Sequence, residues 1–451
     1  MNVLIIGTGY VGVNTAVVLA YLGNRVTCLD VNEEKIALLR QGKSPVYEPH
    51  LEETLNLVRD RLTFTGSYSE ADIPNIDVIF ITVGTPSLSD GNADLSYVRQ
   101  AAESIAENLG EKFTVIVNKS TVPIGSGNWV EVIMREHFNS NHNDGQKPDF
   151  SVVSSPEFLA QGSAMRDSFY PDRIVVGSQD ARSIERLQEL FGPLMRQDFN
   201  APPGLPRPEG LEIVPLLVCD LTSAEMIKYA ANAFLALKIS YINEIGRLAD
   251  KLGADIRAVS KGIGLDKRIG NRFLNAGLGW GGSCFGKDTA ALIAIARDYK
   301  LEMPIIESAR EINYGQRTLV VDLLQDQLKI LKGKHITLLG YSFKPDTDDL
   351  RDAPAIDISK MLIQRGALVR AHDPVAINNA RSHYGQLGVV FCDEVGEALK
   401  DADAIVLVTE WPQYREMDWD AIPRVPVIDG RNCLDKKHLE ELGFTVIGIG
   451  R

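Results

Sequence analysis

Cysteine is sparse in this 451-residue chain: five thiols, at Cys28, Cys219, Cys284, Cys392 and Cys433, with no C-x-x-C pair among them. Such spacing excludes a zinc ribbon and a disulfide framework and suits a reducing cytosol. Positive charge is also in deficit, with 47 Lys and Arg against 60 Asp and Glu and a net charge of −13. That balance argues against nucleic acid and anionic membranes as partners. It leaves room for a phosphorylated ligand, which needs only a local cluster of backbone N–H groups and a few cations. No stretch reaches the ~18 uninterrupted apolar residues of a membrane span. The apolar residues 3–22 lack a basic lead-in and are broken by Gly7, Gly9 and Gly12, unlike a secretory signal. There is no fixed-period repeat and no low-complexity tract.

A hydrophobic content of 45% supports real cores, and the length suits two or three domains. Short apolar runs predict strands at 3–6, 25–29, 78–83, 114–118, 151–154 and 173–176. Helical spacing predicts helices at 11–22, 33–40, 95–108 and 126–137, and this alternation implies a parallel sheet covered on both faces. Residues 198–215, rich in proline and glycine, read as a linker. Residues 220–252 contain no proline and one glycine, Gly246, so a single helix of about thirty residues is expected, as a spine or a dimer interface. After a helical region at 302–331, strands are expected again at 335–339, 368–371, 404–408, 425–428 and 445–447. The architecture predicted is α/β, with two doubly wound parallel-sheet domains joined by a long central helix. Its segments are 1–200, 216–315 and 316–451.

The first strand runs into Gly7-Thr8-Gly9-Tyr10-Val11-Gly12 and then a helix. This G-x-G-x-x-G stands in the context that binds a dinucleotide: a tight turn at Gly7, backbone approach to the pyrophosphate at Gly9, close packing at Gly12. Asp30 closes the second strand, where a carboxylate can accept from both ribose hydroxyls and repel a 2′-phosphate. NAD is therefore expected rather than NADP. Lys35 is near enough to touch the cofactor or is simply an exposed helix lysine. Thr85 and Thr121 follow predicted strands and either face a ligand or cap the next helix. The second α/β region has no such glycine pattern.

The run Gly279-Trp280-Gly281-Gly282-Ser283-Cys284-Phe285-Gly286-Lys287-Asp288 carries the chemistry. Glycines permit close backbone approach. A helix starting near Lys287 would place the thiol at a helix N-terminus, where the dipole favours the thiolate. A nucleophile beside a cation and a carboxylate suits covalent catalysis; a buried cysteine on a tight turn is the alternative.

These elements, with Glu48-Pro49, Ser120-Thr121-Val122-Pro123, Ser155-Pro156-Glu157-Phe158-Leu159, the segment 224–233 bearing Lys228 and Asn232, Arg268-Ile269-Gly270, Phe343-Lys344 and Asp349-Leu350-Arg351, resemble the nucleotide-sugar dehydrogenases over nearly the whole chain. The resemblance implies Rossmann-like domains, a homodimer or higher homo-oligomer, and a four-electron oxidation of a primary alcohol to a carboxylate with two NAD. UDP-glucose, giving UDP-glucuronate, is the implied substrate; GDP-mannose or a UDP-N-acetyl-hexosamine is the alternative. It further implies that Cys284 carries a thiohemiacetal and then a thioester, and that Lys228 stabilises the oxyanion. Asn232 and Asp288 would assist, with Glu157 and Thr121 preparing the hydrolytic water. Gly7, Gly9, Tyr10, Val11, Gly12, Asp30, Lys35, Thr85, Thr121, Lys287 and Arg351 would lie at the cofactor. Glu157, Phe158, Leu159, Lys228, Asn232, Phe273, Gly281, Phe343, Lys344 and Arg431 would lie at the substrate, with Arg268 reaching a neighbouring subunit's site. Two departures are Gln161, where relatives carry a glutamate, and Trp280 in place of phenylalanine. The latter is a larger ring expected beside the sugar.

Overall fold

The computed structural model describes residues 1–86, 88, 93–141 and 148–451. It divides into two compact units, 1–230 and 231–451. In the first, strands β1 (Asn2–Ile6), β2 (Arg25–Leu29), β3 (Leu62–Thr65), β4 (Val78–Ile81), β5 (Thr114–Asn118), β6 (Phe150–Ser154), β7 (Ile174–Gly177) and β8 (Leu216–Cys219) form one sheet in the order 3-2-1-4-5-6-7-8. The order reverses beside β1, which lies between β2 and β4. Ligands in such sheets bind at the carboxyl ends of the strands where the order reverses.

Alternation along each strand explains both covered faces. Val3, Ile5, Val115 and Val117 pack in a core with the helix Tyr10–Tyr21. Leu4, Ile6, Ile79 and Ile116 turn to the opposite core, under the helices Ser96–Asn108 and Ser126–Asn141. Burial on both faces is why these strands read as continuous apolar runs.

The sheet is not parallel throughout. β7 meets β6 antiparallel, through Ser154 opposite Gly177, while β8 runs parallel to β7. The connection from β6 to β7, residues 155–173, holds only the six-residue helix Ala164–Phe169 and makes no parallel crossover. β3 and β8 were outside the expected strands. β3 alternates apolar residues with threonine, and β8 is an edge strand with Leu217 and Val218 exposed.

The second unit has strands β9 (His335–Leu339), β10 (Leu368–His372), β11 (Val390–Phe391), β12 (Ala404–Leu407), β13 (Val427–Asp429) and β14 (Val446–Gly448), in the order 11-10-9-12-13-14. All of its pairs are parallel. Its core packs the sheet against the helices Pro304–Leu328 and Pro354–Gln364. The long helix expected from the sequence runs from Leu221 to Leu252 and carries the chain from the first unit into the second.

Candidate active site

Each glycine of the first turn has a local cause. A Cβ on Gly12 would stand 1.9 Å from the carbonyl oxygen of Gly7 and 2.7 Å from Thr82 Oγ1. Gly9, by contrast, has open space where its Cβ would be, and it precedes the helix Tyr10–Tyr21 with no side chain capping the helix. The N-terminal amides of that helix are thus suited to a pyrophosphate, and the residues present fit a dinucleotide.

Asp30 is buried; its Oδ2 accepts from Thr8 N at 2.7 Å and Thr8 Oγ1 at 2.8 Å, and its Oδ1 from Asn32 N at 2.9 Å. Burial raises its pKa, but these donors and the Lys35 ammonium, 3.5 Å away, outweigh it, so the carboxyl sits below its usual value. Lys35 therefore reaches this site as a partner of Asp30. The Tyr10 hydroxyl donates to Glu48, whose Oε2 also accepts from Gly162 N at 2.7 Å. Burial raises the Tyr10 phenol, and the Glu48 charge adds to it. This cluster joins the cofactor turn to the loop that follows β6. Thr85 donates to the carbonyl of Thr121 at 2.7 Å, so the two threonines share one place at the ends of β4 and β5.

On the loop after β6, Glu157 meets the long helix. Lys228 Nζ lies 2.7 Å from Glu157 Oε1 and 2.7 Å from its carbonyl oxygen, with both residues buried. Glu157 Oε2 accepts from Leu159 N at 2.9 Å. Phe158 has the Arg173 guanidinium 3.7 Å from its ring centroid and the Lys228 ammonium at 5.7 Å. Lys119, which follows β5, is pushed down to about 8, first by burial and then by the charge of Lys228, against the opposing pull of Glu157.

In the second unit, Cys284 is the exposed thiol; Cys28 and Cys392 are buried, and Cys219 and Cys433 are half-buried. Burial pushes the Cys28 thiol up to about 12, and it does the same to Cys433, helped by Asp429. Cys284 is the N-cap of the helix Phe285–Asp298, two residues earlier than the expected start. Its carbonyl accepts from Asp288 N at 2.8 Å. Asp288 is buried, and its Oδ2 accepts from Asn232 Nδ2 at 2.6 Å. Asn232 stands one helical turn beyond Lys228 on the long helix.

The glycine loop ahead of Cys284 is held by side chains. Gly277 N donates to Asn243 Oδ1 at 2.8 Å, and Gln316 Nε2 donates to the Gly277 carbonyl at 2.8 Å. Trp280 N donates to Asn313 Oδ1 at 2.7 Å, and Asn313 Nδ2 returns a bond to the Trp280 carbonyl at 3.0 Å. Arg317 adds a bond to the same carbonyl at 3.2 Å and an ion pair to Asp352 at 2.8 Å. A Cβ on Gly281 would lie 2.3 Å from the Asp352 carbonyl, so only glycine fits.

Arg351 O accepts from Gly282 N at 2.9 Å, and its guanidinium pairs with Asp349 while feeling the charge of Cys284. The expected cofactor residue Arg351 is therefore built into the cysteine loop. Arg431 donates to the carbonyls of Val408, Gly279 and Phe343 at 2.7, 3.2 and 3.3 Å. Lys344 lies 5.6 Å from the Phe343 ring centroid. Phe273, at φ 64°, sits edge-on to Phe285. Arg268 is exposed and pairs with Asp266. Trp280 departs from expectation: its ring is 4% exposed and its indole N–H donates to Ser240, so it is a packing residue. Sequence reasoning missed Lys119, Arg173, Glu225 and the trio Asn313, Gln316 and Arg317. The trio was visible as polar residues at i, i+3 and i+4 of one helix, the spacing of a single face.

Descriptions of the UDP-glucose/GDP-mannose dehydrogenase family match the chain in order: the NAD binding domain over residues 1–195, the central domain over 222–315 and the UDP binding domain over 337–436. The chain is 42% identical to the UDP-glucose 6-dehydrogenase YwqF of Bacillus subtilis (strain 168), covering 100% of this chain and 98% of that protein. It is 41% identical to the UDP-glucose 6-dehydrogenase of Rhizobium meliloti (strain 1021), covering 100% of both. The solved UDP-glucose dehydrogenase of the hyperthermophilic archaeon Pyrobaculum islandicum aligns with a TM-score of 0.87 at 38% identity, covering 99% of this chain and 96% of that one.

Asp30→Asn removes a charge that four groups share. The KM for NAD should rise about tenfold or more, from the loss of about 1.5–3 kcal/mol per charged hydrogen bond, with a smaller change in kcat; initial rates at varied NAD decide it. Lys119 gives up its proton near pH 8 in the folded chain and at about 10.4 when unfolded. Between those values the unfolded state holds more protons, so stability rises with pH. Lys119→Met should be the more stable protein at pH 7, with the advantage shrinking as pH approaches 10; urea midpoints at both values test the sign.

Proposed function

We propose that this chain, which belongs to the UDP-glucose/GDP-mannose dehydrogenase family, oxidises UDP-glucose to UDP-glucuronate with two NAD and one water per turnover. The substrate assignment is supported by full-length similarity to curated UDP-glucose 6-dehydrogenases at about 40% identity. The observation that carries the chemistry is the exposed Cys284 thiol at the head of a helix, with the Asn232–Asp288 pair in the next turn.

In this scheme residues 1–200 bind NAD, residues 216–315 supply the cysteine and the long helix, and residues 316–451 hold the nucleotide. NAD, held by the turn Gly7–Gly12 and by Asp30, would supply the hydride acceptor for each of the two oxidations at C6. Lys228 holds the oxygen of C6 as negative charge develops, because a desolvated cation is worth most where water is excluded. The Cys284 thiolate, favoured by the helix dipole, adds to the aldehyde and retains it as a thiohemiacetal. Loss of the second hydride makes the thioester, and water cleaves it to the carboxylate and free thiol. Glu157, kept close to Lys228, accepts a proton from that water while Thr121 orients it. Asn232 and Asp288 steady the oxygen and carry protons. Lys344 and Arg431 meet the diphosphate and sugar, and the backbone of the loop at 273–282 reads the base.

A homodimer is also proposed. Phe234, Tyr241 and Leu248 of the long helix are each about half exposed, and their spacing of seven sets them on one stripe. A cavity of about 310 Å³ beside it is lined by Leu237, Tyr241, Ile305 and Ile312. A second copy of this helix would cover the stripe. A cytoplasmic site is proposed on the free thiols; among the described residues no helix is long and apolar enough to cross a membrane.

Purified protein with excess NAD should form two NADH per UDP-glucose and none with GDP-mannose. Cys284→Ala should give at most one. Two from the Cys284→Ala variant would end the covalent scheme, and turnover of GDP-mannose alone would reassign the substrate. Tyr241→Asp combined with Leu248→Asp should sediment as a monomer; an unchanged dimer would remove the stripe from the interface.

A further inference from the structure

Glu225 is a buried carboxylate that the proposed chemistry does not use. It lies in the second turn of the long helix, three residues before Lys228, and is 5% exposed. Its Oε2 accepts from Gly125 N at 2.6 Å. Its Oε1 accepts from Gly127 N at 2.8 Å and from Ser154 Oγ at 2.9 Å. Those amides open the helix Ser126–Asn141, whose positive end a carboxylate favours. Gly125, at φ 96°, closes the loop that carries Thr121, and Ser154 closes the strand that leads into Glu157. One carboxylate therefore ties the Thr121 loop, the end of β6 and the long helix together. The next turn of that helix presents Lys228 to Glu157.

We infer that Glu225 is a positioning residue for thioester hydrolysis: it sets the Thr121 loop in register with the Lys228–Glu157 pair. Both Thr121 and Glu157 must meet the same water, and an error of about 1 Å in such an arrangement costs roughly a hundredfold in rate. The inference rests on the proposed function for its kinetic consequence and on the hydrogen bonds alone for its structural one. Hydrolysis is the step that needs Thr121 and Glu157 on the same water, so a fault at Glu225 should weigh most on the step after the second oxidation.

Glu225→Gln is the discriminating variant. An amide oxygen in the Oε1 position keeps the bonds to Gly127 and Ser154, and the amide nitrogen then faces Gly125 N–H, donor against donor. Glu225→Gln should release a burst of two NADH per active site, followed by a steady rate about tenfold or more below it. Acid-quenched protein should carry a sugar-nucleotide adduct on Cys284 by intact mass, with kcat/KM for NAD unchanged because hydrolysis follows both hydride losses. Amide exchange without substrate should speed up at 121–127 and stay at the wild-type rate in the helix 10–21. Ser154→Ala, which removes one bond only, should show the same pattern more weakly. Wild-type exchange at 121–127 in Glu225→Gln would overturn the inference. So would a uniformly lower rate with neither burst nor adduct, which is what a merely structural role produces. Should the wild-type protein leave UDP-glucose untouched, the proposed function fails, and the exchange experiment still decides the role of Glu225.

Discussion

The buried ion pair between Lys228 and Glu157 has little water to share its cost. Removing either partner would strand a charge, at about 3–5 kcal/mol. The ammonium also takes the carbonyl of Glu157, so one side chain grips both the backbone and the carboxylate of one loop residue. That grip sets the loop after β6 against the helix Leu221–Leu252. The same helix offers Glu225 one turn earlier and Asn232 one turn later. Spacing along a helix is fixed at 1.5 Å per residue, so Glu225, Lys228 and Asn232 stand on successive turns of one helix. The helix needs no strong local amphipathicity to survive, because each of these buried polar side chains is answered by a partner.

Both sheets use one physical device at the turn after their first strand. Gly7 and Gly340 have φ of 96° and 94°, and each donates its N–H at 2.8 Å to the end of the neighbouring strand, at Leu29 and His372. Asp30 accepts from Thr8 N and Oγ1, and Asp373 accepts from Ser342 N and Oγ at 2.9 Å. The segments beyond the two turns differ. In the first unit a helix begins at Tyr10 and leaves its amides for phosphate. In the second the helix waits until Pro354, and the intervening residues carry Phe343, Lys344 and Arg351. The second turn therefore has no helix N-terminus directly after it, which fits a single dinucleotide fingerprint in a chain with two such sheets.

The strands buried on both faces were legible because burial imposes a uniform apolar run, as at Val78–Ile81 and Ala404–Leu407. Edge strands were not: Leu62–Thr65 and Val390–Phe391 need pairing on one side only and carry little pattern. The direction of β7 was hidden because periodicity is blind to strand polarity. The candidate chemical residues stood out through resemblance and through residue type, a thiol among glycines and a lysine on a helix. Their supports did not. Asn313 and Glu225 act on backbone groups far away in sequence, and a carboxamide or carboxylate on a helix looks the same in sequence whether it meets water or a buried N–H. Trp280 misled for a related reason, since a large ring beside glycines suggests a ligand wall, whereas Ser240 satisfies its indole within the protein.

The proposed chemistry gives a reason why so many buried amides attend one loop. In that scheme the thiol must keep its place through two oxidations, yet a glycine-rich loop is the segment with the most conformational entropy to lose. Packing of Leu278 and Trp280 cannot fix the glycines between and after them, which have no side chains to pack. Hydrogen bonds to the backbone can. Each made bond gains only about 0.5–1.5 kcal/mol, but a buried donor or acceptor left unmade costs about 1–3 kcal/mol. Asn313, fully buried, answers both the N–H and the C=O of Trp280, and Asn243 and Gln316 do the same for Gly277. Any displacement of the loop breaks several of these at once. The glycines are then required by the closeness of the clamp, and the clamp by the flexibility of the glycines, so the two features stand or fall together.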